Sequence, residues 1–371
     1  QNPKPNLSRR HFMKTTAASL AVLSLNSVLA VDTTPKKIRI GVVGGGFGSA
    51  FLWHLHPDCE VYAVSDLLES RKKALMEIMG CSRSYPSLEE LVKDPHIDAV
   101  AIFTDGPLHV QHTVEAMKHG KHVISAVPAA WATLEQAEQL ADIVKTSGLT
   151  YMMAETSHYH LETISVRKMY EKGEFGHIYY TEAEYQHDGL EGLYIIDGKR
   201  TWRYGMAPMF YPTHSTAFLT GITGETLTEV VCHGWGDDSP YLKDNDYQNP
   251  FWSQTALFRT DRGNSFRVFI SWKGAHRGTE RATWIGDKMS FYCGHPNGLG
   301  PLIIRSGNQT ETDDAGFVRN KPNYENYQQE DWNRELPEAL RNIPGHGGSH
   351  PFLIHEFISA LTQGRKPAVD I

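Results

Sequence analysis

The residues with the clearest chemical potential stand near the start of the folded sequence. Gly44, Gly45, Gly46 and Gly48, with Phe47 inside the turn, follow an apolar run built on Ile38, Ile40, Val42 and Val43. Glycines at such a turn let the backbone approach a pyrophosphate, and a helix starting there aims N–H groups at it. Asp66 lies about twenty residues on, where a carboxylate accepts hydrogen bonds from ribose hydroxyls and repels a 2′-phosphate. Leu67 and Leu68 offer no arginine to offset that repulsion, so NAD is favoured over NADP. Glu155 ends a later strand, where doubly wound folds place their ligands. The segments "EAEYQHDG" and "FYPTH" add Tyr185, His187, Tyr211 and His214. Histidine and tyrosine of tuned pKa transfer protons, each typically worth about 10²–10⁴-fold in rate. The plainer alternatives are a glycine turn without a ligand, a helix-capping Asp66, and rings that only pack.

These groups need elements to hold them. The spacing predicts a strand over 38–43, a helix opening at 50–55, a strand ending on Asp66 and a helix over 69–79. Then come a helix over "SLEELVK", the strand "IDAVAIFT", and a helix "LHVQHTVEAMKHG" stopped by Gly120. The strand "KHVISAV" follows, then a helix started by Thr133 with Gln136 as capping-box partner, and the strand "TYMMAE". Such alternation specifies an α/β doubly wound parallel sheet over residues 36–155. From 156 to 371 the pattern changes to alternating aromatic and β-branched segments, with a hairpin turn at Asp261-Arg262-Gly263-Asn264. This predicts an α+β domain with a large, mainly antiparallel open sheet packed on helices, and "HPFLIHEFISALTQG" closes it as a helix.

Totals exclude some classes. The 371 residues carry a formal net charge of −7, which argues against nucleic-acid binding through a basic face. The four cysteines form no C-x-x-C pair, and the histidine spacing matches no metal motif, so no metal is expected. Residues 1–30 hold Ser8-Arg9-Arg10-x-Phe12-x-Lys14, a short apolar segment, and Val28-Leu29-Ala30. This resembles a twin-arginine signal, which implies export of an already folded, cofactor-loaded protein to the periplasm and no membrane association after cleavage.

Thr104, His109 and Gly120-Lys121-His122-Val123, taken with the glycine turn, resemble the Gfo/Idh/MocA oxidoreductase family. The resemblance implies a Rossmann domain followed by an open-sheet domain, with Thr104, His109 and Pro128 beside the cofactor. It also implies a homodimer or homotetramer formed through the sheet face. That family usually reads Glu-Lys-Pro after the strand, its lysine serving proton transfer, whereas this chain reads Ala126-Val127-Pro128. An Asp-x-x-x-His pair common there is reduced to His214, with Phe210 in the aspartate slot. Glu155, Tyr185 to Asp188, Tyr211 to His214, and "GHGGSH" at 345–350 look like the NAD-dependent glycosidase branch, family 109. The family also generally continues beyond the final "KPAVDI".

The resemblance implies a carbohydrate substrate and NAD-linked hydride transfer at a ring carbon. In a redox-neutral variant the ring carbon is oxidised, the C2 proton is lost, the anomeric group is eliminated, water adds and hydride returns. His214 is then expected to handle the hydroxyl proton and Tyr185 the C2 proton, with Tyr211 and Glu155 positioning the sugar. A non-catalytic sugar-binding relative is the remaining alternative, motivated by the missing lysine.

Overall fold

The computed structural model describes residues 37–275 and 278–371, so the signal-like segment lies outside the described residues. Six strands build a parallel sheet: β1 (Ile38–Val43), β2 (Cys59–Ser65), β3 (Ser84–Tyr85), β4 (Ala99–Ile102), β5 (His122–Ser125) and β6 (Tyr151–Met153). Their order is β3-β2-β1-β4-β5-β6. The central strand β4, Ala-Val-Ala-Ile, is buried throughout because apolar clusters cover both sheet faces. Helices α1 (Glu69–Met79), α2 (His109–Lys118) and α3 (Leu134–Ser147) connect the strands. Thr133 caps α3 as expected, its hydroxyl accepting from the Gln136 N–H. The Gln136 side chain does not complete a capping box on Thr133; it reaches further back and accepts from the Trp131 N–H at 2.8 Å.

The order reverses between β1 and β4, and the loops after these two strands border the crevice where such sheets bind ligands. The helix expected over 50–55 is absent. Two short 3-10 turns, Phe47–Ala50 and Trp53–Leu55, take its place, separated by extended backbone at Phe51. The reason is burial. Phe51 and Trp53 are both fully buried, and residues two apart on an α-helix point to different sides. The extended link sends both rings into one core, each such ring stabilising the fold by about 1.5–3 kcal/mol.

The second sheet contains β7 (Ile178–Gln186), β8 (Leu227–Trp235), β9 (Ser253–Thr260), β10 (Ser265–Ser271), β11 (Thr279–Gly286), β12 (Met289–Tyr292), β13 (Leu302–Arg305) and β14 (Asn323–Asn326). Its order is β8-β9-β10-β7-β11-β12-β13-β14, antiparallel except where β7 meets β10. Gly263 takes the positive φ of 82° that the β9–β10 hairpin turn requires. One sheet face packs on α4 (Leu161–Glu171) and α5 (Thr213–Thr223) in a core rich in tryptophan and tyrosine. The last helix, α6 (His350–Gln363), follows this sheet in sequence but buries Leu353, Ile354, Phe357 and Ile358 beside Phe51 and Trp53 in the core of the first sheet. Among the described residues no helix is long and apolar enough to cross a membrane.

Candidate active site

β1 runs directly into the glycine turn. Gly44 has φ +97°, and a Cβ there would collide with the Phe103 carbonyl in the loop after β4. A Cβ on Gly45 would lie 2.9 Å from the Arg71 carbonyl oxygen, and one on Gly48 would lie 2.7 Å from the Phe103 ring. Around Gly46 the space is open, with only Arg71 Nη1 at 3.7 Å from a built Cβ. The turn is therefore clamped on three sides and bare on the fourth, which is the shape a pyrophosphate needs. Asp66 is fixed at the rim: its Oδ2 accepts from the Gly45 N–H at 2.6 Å and its Oδ1 from the Leu68 N–H at 2.7 Å.

Because no α-helix follows the turn, a helix dipole does not serve this cradle. Arg71 brings the positive charge instead. It projects from α1 into the cavity beside Gly46, and a sequence reading that checked only positions 67 and 68 missed it. The available signal was the geometry of the βα unit, in which the first turn of α1 passes back over the glycines.

The other expected cofactor residues divide into two layers. Gly44, Gly46, Phe47, Asp66, Thr104 and His109 line the cavity. Gly48 and Pro128 are not among its lining residues: Gly48 packs on Phe103, and the Pro128 carbonyl faces His109 Nδ1 at 2.8 Å. His109 Nε2 faces the Thr104 carbonyl at 2.9 Å. Burial pushes the imidazole pKa down, and the neutral ring has one N–H to donate to one of these two carbonyls. Both ring nitrogens of His109 face backbone of the loops after β4 and β5.

The four expected acid–base residues come together from three elements. Tyr185 comes from β7, Tyr211 and His214 from the entry and first turn of α5, and Glu155 from the loop after β6. Ring centroids of Tyr185 and His214 lie 4.6 Å apart, those of Tyr211 and His214 5.3 Å, and those of Tyr185 and Tyr211 6.2 Å. Glu155 Oε1 meets His214 Nδ1 at 2.8 Å and also accepts from the Ser157 N–H at 2.9 Å. The carboxylate that the Asp-x-x-x-His pattern would have placed at position 210 thus arrives from the other sheet. Phe210 packs against Trp131 and Tyr247.

A second carboxylate, Glu280, was not expected. It stands on β11 directly opposite Tyr185 in register, accepts from the Ser157 hydroxyl at 2.9 Å and lies 3.1 Å from His160 Nε2. Burial alone would lower the pKa of His214, but Glu155 and Glu280 outweigh it and raise the imidazole to about 9. Burial works on Glu280 in the opposite sense, yet His214 and His160 hold its carboxyl well below the usual range. Burial pushes both tyrosines up, and Arg203 acts against it at each. With Nδ1 held by Glu155, His214 keeps Nε2 as its ring nitrogen without a partner among the described residues.

One cavity of about 820 Å³ joins the two sets, running from Asp66 and Gly46 to Tyr185, Tyr211 and His214. His187 and His346 also line it, and a second cavity of about 640 Å³ meets it at Tyr185, His187 and His346. Asp188 is turned to the Gly274 N–H, and His350 stacks on Phe51 at 4.2 Å; neither reaches the main cavity. At the position of the missing lysine, Val127 offers its carbonyl, which accepts from the Tyr211 hydroxyl at 3.2 Å. Positive charge at this end comes from His214 and from Arg203, a cavity residue that sequence reasoning overlooked.

Residues 38–155 match a family described as an oxidoreductase family with an NAD-binding Rossmann fold, Gfo/Idh/MocA. That match spans the first sheet and the segments that carry the glycine turn, Thr104, His109 and Glu155. Over nearly its whole length it is similar to proteins named for glycosyl hydrolase family 109. One, from Solibacter usitatus, is 24% identical over 98% of this chain and 90% of that protein. Another, from Akkermansia muciniphila, is 26% identical over 88% of this chain and 74% of that protein. Among solved structures, a levoglucosan dehydrogenase in complex with NADH superposes with a TM-score of 0.71 at 18% identity, covering 90% of this chain and 92% of that one. An NAD-binding oxidoreductase from Klebsiella pneumoniae gives 0.69 at 16% identity, covering 90% and 92%. These likenesses establish the two-sheet fold, and the clamped glycines with their bare face fit the dinucleotide that the family's Rossmann domain binds.

Proposed function

We propose that this protein is an NAD-dependent enzyme acting on a sugar or glycoside by hydride transfer at a ring carbon. The observation that carries this reading is the single cavity joining the glycine turn to Tyr185, Tyr211 and His214. A bound nicotinamide supplies the hydride chemistry, and Gly44, Gly46, Arg71 and Asp66 would hold its dinucleotide. The chain supplies the proton chemistry. Glu155 fixes His214 through Nδ1, so that Nε2 meets the reacting hydroxyl. The neutral imidazole accepts the hydroxyl proton, and the imidazolium returns it when a carbonyl is reduced. Tyr211, anchored on the Val127 carbonyl, orients the ring carbon. The experiment is direct: prolonged dialysis, assay of retained NAD, then addition of sugars while reduced nicotinamide is followed by absorbance. Retained NAD and a sugar-dependent rise support the reading; retained NAD with no response to any sugar removes it.

The whole-chain relatives favour a second, redox-neutral reading in which glycoside is cleaved without net NADH. Its mark is free aglycone at constant reduced nicotinamide, together with entry of solvent deuterium at C2. Tyr185→Phe is expected to slow that entry by about 10²-fold or more. Because burial keeps the Tyr185 phenol protonated, Arg203 must assist its turn as a base. Unchanged deuterium entry in the variant would take Tyr185 out of the step.

Asp66 supports NAD as the preferred form, while Arg71 is the group a 2′-phosphate would seek. Asp66→Ala is expected to shift the NADPH-to-NADH affinity ratio toward NADPH by on the order of tenfold, read by fluorescence titration. An unchanged ratio would place the preference elsewhere. Export by the twin-arginine route is supported by Ser8 to Lys14, and a reporter fused after Ala30 should lose export when Arg9 and Arg10 become lysines. Self-association through the second sheet is supported by Val230, Val231, Trp235 and Leu257, all more than half exposed at its β8–β9 edge. Light scattering of the purified protein tests it.

A further inference from the structure

Two arginines line the long cavity, Arg71 and Arg203. Neither guanidinium makes an ion pair or donates a hydrogen bond among the described residues. Elsewhere the contrast is plain: Arg267, Arg281 and Arg305 on the second sheet each reach a carboxylate, at 2.8, 2.5 and 2.8 Å. Arg71 stands beside the glycine turn, where dinucleotide phosphates account for it. Arg203 lies at the opposite end, beside Tyr185 and Tyr211, and among the described residues no carboxylate forms an ion pair with it.

Arg203 lies over the Trp202 ring, 4.0 Å from the ring centroid. The Trp202 indole N–H is itself buried with no hydrogen-bond acceptor. A guanidinium carries five donors and no acceptor and stays charged at any working pH, and the indole also only donates. Burial pushes the guanidinium pKa down, while Tyr211, Asp105 and Tyr185 pull the other way without forming an ion pair. Half-buried donors left unpartnered destabilise the empty protein, and that penalty disappears when an acceptor-rich anion arrives. A neutral hydroxyl would satisfy a hydrogen bond but leave the charge in place.

We infer that Arg203, backed by the Trp202 ring, forms a subsite for an anionic oxygen group carried by the sugar, a carboxylate or a sulfate ester, and that acidic sugars are the substrate class. This rests on the reading that the cavity takes a sugar. The planar guanidinium fork matches a carboxylate in bidentate fashion, which also fixes the ring relative to His214.

The test is calorimetric titration of the NAD-loaded protein with galacturonate, galactose 6-sulfate and galactose, and with the corresponding glucose series. Acidic sugars should bind on the order of 10–100-fold more tightly than neutral ones, with the margin narrowing as salt rises. The carboxylate and sulfate arms show which anion the subsite prefers. Arg203→Met should abolish the margin, and Arg203→Lys should retain part of it. Equal binding of acidic and neutral sugars, or a margin that survives in Arg203→Met, overturns the inference. If neutral sugars alone bind, the sugar reading stands and the anion subsite falls. If no sugar binds while NADH still does, both fall together.

Discussion

His214→Ala lowers turnover by about 10²–10⁴-fold while the protein still holds its dinucleotide. His214 is 5% exposed and lies at the cavity wall, where its contacts are with Glu155, Thr156, Tyr185 and Tyr211 and not with the glycine turn that would carry the phosphates. Its loss therefore removes proton transfer without touching the cradle. It also leaves the buried Glu155 without its ion-pair partner, a change that costs about 3–5 kcal/mol, whereas Glu280 keeps His160. Melting temperature and NAD content are measured alongside turnover for this reason. His214→Gln, which keeps a donor toward Glu155, separates the two effects: it should recover much of the stability and little of the rate.

The same pair of carboxylates sets a pH dependence. His214 has its folded pKa raised from 6.5 to about 9. A group raised in this way stabilises the fold fully below pH 6.5 and loses that contribution as pH climbs through about 9. The amount is about 3 kcal/mol. Catalysis moves in a linked manner. Oxidation needs the neutral imidazole, so its rate rises about tenfold per pH unit up to the pKa. Carbonyl reduction needs the imidazolium and declines above it. Glu280→Gln removes one of the two carboxylates and should shift both limbs to lower pH; limbs that stay in place would show that Glu280 does not act on His214.

Gly44→Ala has the second large effect, and it falls on the cofactor. At φ +97° an alanine is strained, and its Cβ meets the Phe103 carbonyl, which belongs to the loop carrying Thr104. Either the turn or the loop after β4 must move, and the two together border the crevice. The cost in stability is about 2–4 kcal/mol, and NAD should no longer survive dialysis. Gly46→Ala is the internal control. Its Cβ would meet only the end of the Arg71 side chain, so the fold should persist while the bare face of the turn is blocked. A Gly46→Ala protein that melts normally and binds NADH as before would mean that the pyrophosphate does not approach this face.

Much of this was legible in the amino-acid order, for reasons that can be named. Buried parallel strands read as apolar runs, and β4 and the second half of β1 are such runs. Glu155 stood out as a polar group at a strand end of a doubly wound fold, and Tyr185, Tyr211 and His214 through the resemblance of their segments to family 109; the fold brings all four together. The helix at 50–55 was misread because "SAFLWHL" is compatible with helical propensity, while the burial of both Phe51 and Trp53 is a tertiary fact. Glu280, Arg203 and Arg71 escaped for a common reason. Each is one charged residue among many, and only the pairing of β11 with β7, the course of the segment before α5, and the return of α1 over the glycines single them out. Gly48 and Pro128 show the converse. A motif names residues that build a site without saying which of them touch the ligand.

The most direct measurement is a crystal structure of the protein with NAD bound. The pyrophosphate should lie on the bare face of Gly46 beside Arg71, the adenosine ribose on Asp66, and the nicotinamide ring between Val127 and His214. A dinucleotide bound elsewhere, or a nicotinamide pointing away from His214 and Tyr185, would contradict that placement.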